Sequence, residues 1–138
     1  MERYDGATPS GNSAALVLFD LLRRLSGREE WRERAEKQGA FLSAAVKEAP
    51  MAGAYGLLGL MGQFYPTKEL VAALTGEESA MLDSIESRFD PRITILVKKP
   101  GDEKLAAFAP FTAAYGPIEG KNTFYLCENG ACSLPVTE

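Results

Sequence analysis

Residues 14–25, AALVLFDLLRRL, carry only Asp20, Arg23 and Arg24 as polar side chains. A helix with so wide an apolar stripe cannot lie on a surface with one face in water; it needs cover on more than one side. A chain containing it must therefore wrap this helix with other elements. Its start is marked by Ser10-Gly11-Asn12-Ser13, whose side chains can accept from the orphan N–H groups of a first turn. Ser26-Gly27 marks its end, with glycine suited to the left-handed position after a helix.

Two further helices are predicted nearby. Glu29 and Glu30 open an amphipathic one, with Trp31, Ala35, Leu42, Ala45 and Val46 toward one face. Pro50 follows its end. Residues 51–65 then carry no charge, and Gly53, Gly56, Gly59 and Gly62 recur at every third position. Each interior glycine costs about 1 kcal/mol relative to alanine, so the spacing implies a compensating close approach along that stripe. The run is too short to span a bilayer. Pro66 ends the helical part.

The pattern then changes. Residues 69–74 read as a short apolar strand, residues 77–88 as a helix with Met81, Leu82, Ile85 and Phe89 on one side, and residues 93–97 as a β-branched strand. That order is a βαβ unit, which makes the two strands parallel. Residues 103–115 read as partly helical, interrupted at Pro110, and residues 123–127 as a third strand. A turn is expected at Asn129-Gly130. The predicted class is α+β: a helical hairpin plus a third helix over residues 1–66, then a small three-stranded α/β piece over residues 67–138.

Composition narrows the function. The chain has 138 residues, 46% hydrophobic, with a net charge of −4. Without a basic excess, nucleic acid is not an expected partner. No segment reaches the roughly 20 apolar residues of a membrane span, and Met1-Glu2-Arg3 does not begin a signal peptide; a cytoplasmic protein is expected. Histidine is absent, which removes Ser-His-Asp and Cys-His catalysis and any His-ligated metal from this chain. No cofactor and no metal are expected.

Three places could carry chemistry. Asp5, Thr8, Ser10, Asn12 and Ser13 form the richest polar segment, readable as a cavity-mouth loop for an anion or sugar hydroxyls, or, as spacing favours, as helix capping and an Asp-Gly turn. Thr75-Gly76-Glu77 sits between strand and helix but lacks the glycines and lysine of a phosphate loop, so it reads as structural. Cys127 and Cys132 are either reduced packed thiols, the form favoured in a reducing cytoplasm, or a hairpin-closing disulfide. Their spacing is not C-x-x-C, and two thiols do not complete a metal site.

Two separated motifs carry a resemblance. DGATPSGNS, from Asp5 to Ser13, and the tail with Cys127, Cys132, Pro135, Val136 and Thr137 are similar to signatures of the large thioredoxin-domain-containing proteins related to spermatogenesis-associated thioredoxin-like protein. The resemblance implies that this chain corresponds to the C-terminal portion of a longer protein with an (α/α)6 toroid, similar to N-acylglucosamine 2-epimerases and six-hairpin glycosidases. Residues 14–25 would then be an inner toroid helix. The redox C-x-x-C region and any toroid histidine lie outside this chain, so neither activity transfers to these residues. The resemblance implies a non-catalytic segment of a carbohydrate-active or sugar-binding protein, with Asp5 and Asn12 contacting ligand hydroxyls. The alternative is an interaction module docking the toroid to a thioredoxin-like domain or another subunit. The expected partners are the rest of the longer protein and a carbohydrate; the isolated chain is expected to dimerise.

Overall fold

The computed structural model describes residues 4–76, 78–88, 90–128 and 131–138. The expectations for Met1-Glu2-Arg3, Glu77, Phe89 and the Asn129-Gly130 turn lie outside the described residues. The fold is α+β, and it divides into two compact units, Met1–Tyr65 and Pro66–Glu138.

The first unit is helical: α1 (Gly11–Ser26), α2 (Glu29–Glu48), a 3-10 turn over Pro50–Gly53 and α3 (Ala54–Phe64). Ser10 caps α1 by accepting from Ser13 N–H, and Gly27 closes it in the left-handed region at φ 64°. Helix α1 packs against both α2 and α3, so it is covered on two sides as its sequence demands, but a third side carrying Ala14 and Leu18 stays exposed, with Leu18 at 51%. Leu16, Leu42, Val46 and Leu60 form the core among the three helices. Trp31 stacks on Phe19 with ring centroids 5.8 Å apart, and the Arg34 guanidinium lies over both rings. The buried Asp20 is held within α1 by Arg23 at 2.7 Å and Arg24 at 3.1 Å.

Of the four glycines, Gly53 in the 3-10 turn faces Val46 Cγ2 of α2 at 2.9 Å, and the three within α3 are filled by α1. A Cβ built on Gly56 would stand 2.9 Å from Ser13 Oγ; on Gly59, 3.0 Å from Leu16 Cδ2; on Gly62, 3.1 Å from Asp20 Oδ2. Ser13, Leu16 and Asp20 are successive members of the buried stripe of α1, so every third residue of α3 meets about one turn of its neighbour. The close approach is to side chains, of α1 for the three glycines of α3 and of α2 for Gly53. The stripe is therefore covered within the unit and is no surface for a second copy.

The second unit contains β1 (Lys68–Ala73), α4 (Ala80–Glu86), β2 (Ile93–Lys98), α5 (Glu103–Phe108), a 3-10 turn over Pro110–Ala114, β3 (Thr123–Glu128), β4 (Ala131–Cys132) and β5 (Val136–Thr137). The sheet order is β2-β1-β3-β4, with β5 also paired to β3. Strands β1 and β2 run parallel, as the βαβ reading requires, and β3 is antiparallel to β1. Three strands were expected. The tail adds two more, each two residues long, because β3 still has an open edge to which both return.

Alternation sorts the sheet faces. Leu70, Ala72, Ile93, Ile95, Val97, Phe124 and Leu126 pack with Met81, Leu82 and Ile85 of α4. The opposite face carries Val71, Ala73, Leu96, Lys98, Thr123, Tyr125 and Cys127. There the Lys98 ammonium donates to the carbonyls of Thr112 (2.9 Å) and Tyr115 (2.7 Å), tying the 3-10 turn to the end of β2.

Cys127 and Cys132 form a disulfide, in place of the reduced pair favoured from the sequence. The reason is register: the two are direct partners across β3 and β4, with Cα atoms 3.9 Å apart. A redox compartment inferred from composition carries no information about such pairing.

Candidate functional site

The N-terminal loop brings Asp5, Ser10 and Ser13 together. Asp5 Oδ1 accepts from Ser10 N–H at 2.8 Å, and Oδ2 accepts from Tyr55 N–H at 2.8 Å and Gly56 N–H at 3.2 Å. Ser13 also donates its hydroxyl to this carboxylate, and Ser10 Oγ donates to Ser13 Oγ at 3.0 Å. Tyr55 and Gly56 stand in the first turn of α3, whose own N-cap, Gly53, has no side chain to offer. Asp5 is thus the missing cap of α3, supplied from 50 residues away, at the helix end whose dipole favours an anion. Burial pushes its pKa up, but the donors from Ser10, Ser13, Gly56 and Tyr55 outweigh it and hold the carboxyl below its ordinary value.

The other two predicted loop residues diverge. Asn12 turns to α2, where Gln38 Nε2 donates to its side-chain oxygen and to its carbonyl, both at 3.0 Å. Thr8 is exposed, and its carbonyl accepts from Gly6 N–H. The segment divides into a closed three-residue clamp, a helix-to-helix tie and an exposed turn. Among the described residues no buried side-chain nitrogen or oxygen lacks a partner.

A second tertiary cap closes the other unit. Glu138 Oε2 accepts from Ser79 Oγ at 2.6 Å and Asn122 Nδ2 at 3.0 Å, and Oε1 accepts from Met81 N–H at 2.7 Å. These bonds, Asn122 first, lower its pKa. Thr75 donates its N–H and hydroxyl to Asn122 Oδ1, which accounts for the Thr75-Gly76 turn without a phosphate.

Beside this frame lies a cleft of about 470 Å³ at the carboxyl ends of β1 and β2, lined by Leu74, Lys98, Asp102, Ala113, Gly116 and Pro117. Crevices at this end of parallel strands are the usual ligand position in α/β sheets. The Lys98 ammonium, however, is already directed at main-chain carbonyls. On the same sheet face, Tyr115 packs on Tyr125 with centroids 4.6 Å apart, and its hydroxyl lies 2.7 Å from Cys132 Sγ. Among the described residues no three His, Cys, Asp or Glu side chains cluster to hold a metal ion, and no helix is long and apolar enough to cross a membrane.

The two motifs therefore each hold one unit: Asp5 caps α3 in the first, and the cysteine tail pairs with β3 in the second. Sequence comparison covers nearly the whole chain. The chain is distantly related to Spermatogenesis-associated protein 20. It is 27% identical to the human (Homo sapiens), rat (Rattus norvegicus) and mouse (Mus musculus) proteins of that name over 139 aligned residues. The match takes in 97% of this chain but 18% of each relative, so the chain spans less than a fifth of the length of Spermatogenesis-associated protein 20. No family model matches the chain, and no solved structure does.

Gln38, Tyr115, Asn122 and Glu138 were not anticipated as site or frame residues. One signal was present for the Asp5 clamp: Pro50-Met51-Ala52-Gly53 contains no Ser, Thr, Asp or Asn, so the third helix had no local cap. The other contacts join residues far apart in the chain, and spacing cannot find them.

Proposed function

We propose that this chain is a non-catalytic helical and α/β segment of a larger toroid protein, and that α3 is where further helices of that protein pack. One observation carries the reading: the side of α3 away from the glycine stripe is apolar and open. Leu58 is 58% exposed and Phe64 78%, with Leu57, Met61 and Tyr65 also exposed. Soluble proteins seldom leave a contiguous apolar patch of this kind uncovered. In this reading the complete protein binds or acts on a carbohydrate through groups outside this chain, and the Asp5–Ser10–Ser13 clamp frames the helices rather than holding the ligand.

Hydrogen exchange tests the packing. Amides of α3 should exchange at least about tenfold more slowly in the longer protein than in this chain, as local opening is suppressed by cover. Equal exchange in both would remove the proposal. Protection confined to β3–β5 would favour the docking-module alternative.

The same face predicts self-association of the isolated chain. With the stripe covered by α1, pairing should use Leu57, Leu58, Met61 and Phe64, most simply about a two-fold axis. Sedimentation equilibrium should show a concentration-dependent dimer that Leu58→Glu weakens by about tenfold or more, since a charge on the buried side of an interface must be desolvated. A wild-type monomer at high micromolar concentration would contradict it.

A further inference from the structure

We propose that the Cys127–Cys132 disulfide is a thiol–disulfide exchange centre, with Cys132 as the exchanging sulfur, Tyr115 as the residue that stabilises its thiolate, and a dithiol as the reductant. The two sulfurs differ in access: Cys127 is 3% exposed on β3, while Cys132 is half-buried on the short edge strand β4. An incoming thiolate therefore meets Cys132 first.

The second observation is the Tyr115 hydroxyl, 2.7 Å from Cys132 Sγ and 3.9 Å from Cys127 Sγ. A disulfide sulfur has no proton to give, so the phenol is the donor, and such a sulfur is a weak acceptor. The same donor facing a thiolate makes a charge-assisted hydrogen bond, which is much stronger. The phenol is thus better matched to the reduced state than to the oxidised one. It is also held independently of the disulfide: its ring packs on Tyr125, its carbonyl accepts from Lys98 Nζ at 2.7 Å, and the next carbonyl, of Gly116, accepts from Tyr125 Oη at 2.6 Å. Breaking the S–S bond leaves this donor in place.

One thiolate of the dithiol attacks Cys132 Sγ. The Cys127–Cys132 bond breaks, its electron pair goes to Cys127 Sγ, and that sulfur takes up the proton the first thiol released. The second thiolate of the dithiol then attacks its own sulfur in the mixed disulfide. The reductant leaves as a cyclic disulfide, and the electron pair stays on Cys132 Sγ, where the Tyr115 hydroxyl donates to it. The reductant loses two electrons and two protons; the protein gains both electrons and, at Cys127 Sγ, one proton, and the second proton passes to solvent.

The test uses the full chain, with dithiothreitol as the dithiol and its cyclic disulfide as the oxidant. Thiols are alkylated with iodoacetamide across a pH series and located by peptide mass spectrometry. The folded chain should be reduced without denaturant and reoxidised by the cyclic disulfide. Reduced Cys132 should alkylate with a pH midpoint at least about one unit below the ordinary thiol value near 8.5, and Cys127 with a higher one. Tyr115→Phe should raise the Cys132 midpoint by about one unit and leave that of Cys127 in place. A disulfide that resists millimolar dithiothreitol in the folded chain, thiols that stay free in the oxidant, or a Cys132 midpoint unmoved by Tyr115→Phe would each overturn the proposal. Should that variant not fold, single cysteine variants decide: Cys127→Ser should trap a mixed disulfide with glutathione at Cys132, and Cys132→Ser should trap none at Cys127. The reverse pattern would overturn it.

Discussion

Asp5→Ala should lower the stability of the helical unit by about 3 kcal/mol, the summed loss of a helix cap and of charge-assisted bonds that solvent replaces only in part. Three main-chain N–H groups and the Ser13 hydroxyl lose their acceptor together. Trp31 is the chain's single tryptophan and lies in α2, so urea unfolding followed by its fluorescence reads this unit directly. The effect also has a pH signature. The folded-state pKa of Asp5 lies below its ordinary 3.8, so its contribution is present above that value and lost as pH falls through the folded one. Wild type should lose stability over this acid window, and Asp5→Asn should show that part of the slope missing. An Asp5→Ala variant within about 0.5 kcal/mol of wild type, the range of an ordinary surface substitution, would mean that the clamp does not hold α3.

The second large effect lies where α1 meets the glycine stripe. Leu16 is fully buried, and Leu16→Ala should cost about 3 kcal/mol through lost burial and the cavity left behind. Gly59→Ala should also destabilise, although alanine is the better helix former by about 1 kcal/mol. Its Cβ would meet Leu16 Cγ and Cδ2 at 3.0 Å and Val17 Cγ2 at 3.2 Å, and overpacking of this kind costs about 1–3 kcal/mol. The two substitutions should not add. In the double variant the new methyl enters space vacated by Leu16, so the pair should be at least about 0.5 kcal/mol more stable than the sum of the single losses. Additive losses would mean that Gly59 and Leu16 are not in contact.

The contrast between Gly59 and Gly39 follows from the same geometry. A Cβ on Gly39 would meet the end of the Gln63 side chain, with Oε1 at 2.6 Å. That side chain can turn aside at the cost of its bond to the Ala35 carbonyl, whereas Leu16 is enclosed and cannot. Exposure of the neighbour, more than the distance, decides which glycine is required.

Local chemistry in the sequence determined the elements. The near-continuous apolar stripe of residues 14–25 called for cover on more than one side, and α1 packs on both α2 and α3 while Leu18 stays exposed. The β-branched run at residues 93–97 and the βαβ order determined a parallel pair, and β1 and β2 form it. Ser10 at the start and Gly27 at the end of α1 were legible because caps act over three or four residues, the range that a sequence window sees. Tertiary structure decided everything that joins distant residues. The glycine spacing required a close neighbour but could not name α1, because any surface of matching period would satisfy it. The Asp5 carboxylate read as a local turn or a ligand contact, and became the cap of α3 only when the chain brought Tyr55 and Gly56 to it. Cysteine spacing permitted thiols or a disulfide, and the β3–β4 register chose between them by placing the two residues opposite each other. Periodicity is a property of neighbours along the chain, whereas a hydrogen bond or disulfide across tens of residues depends on the packing that brings its ends together.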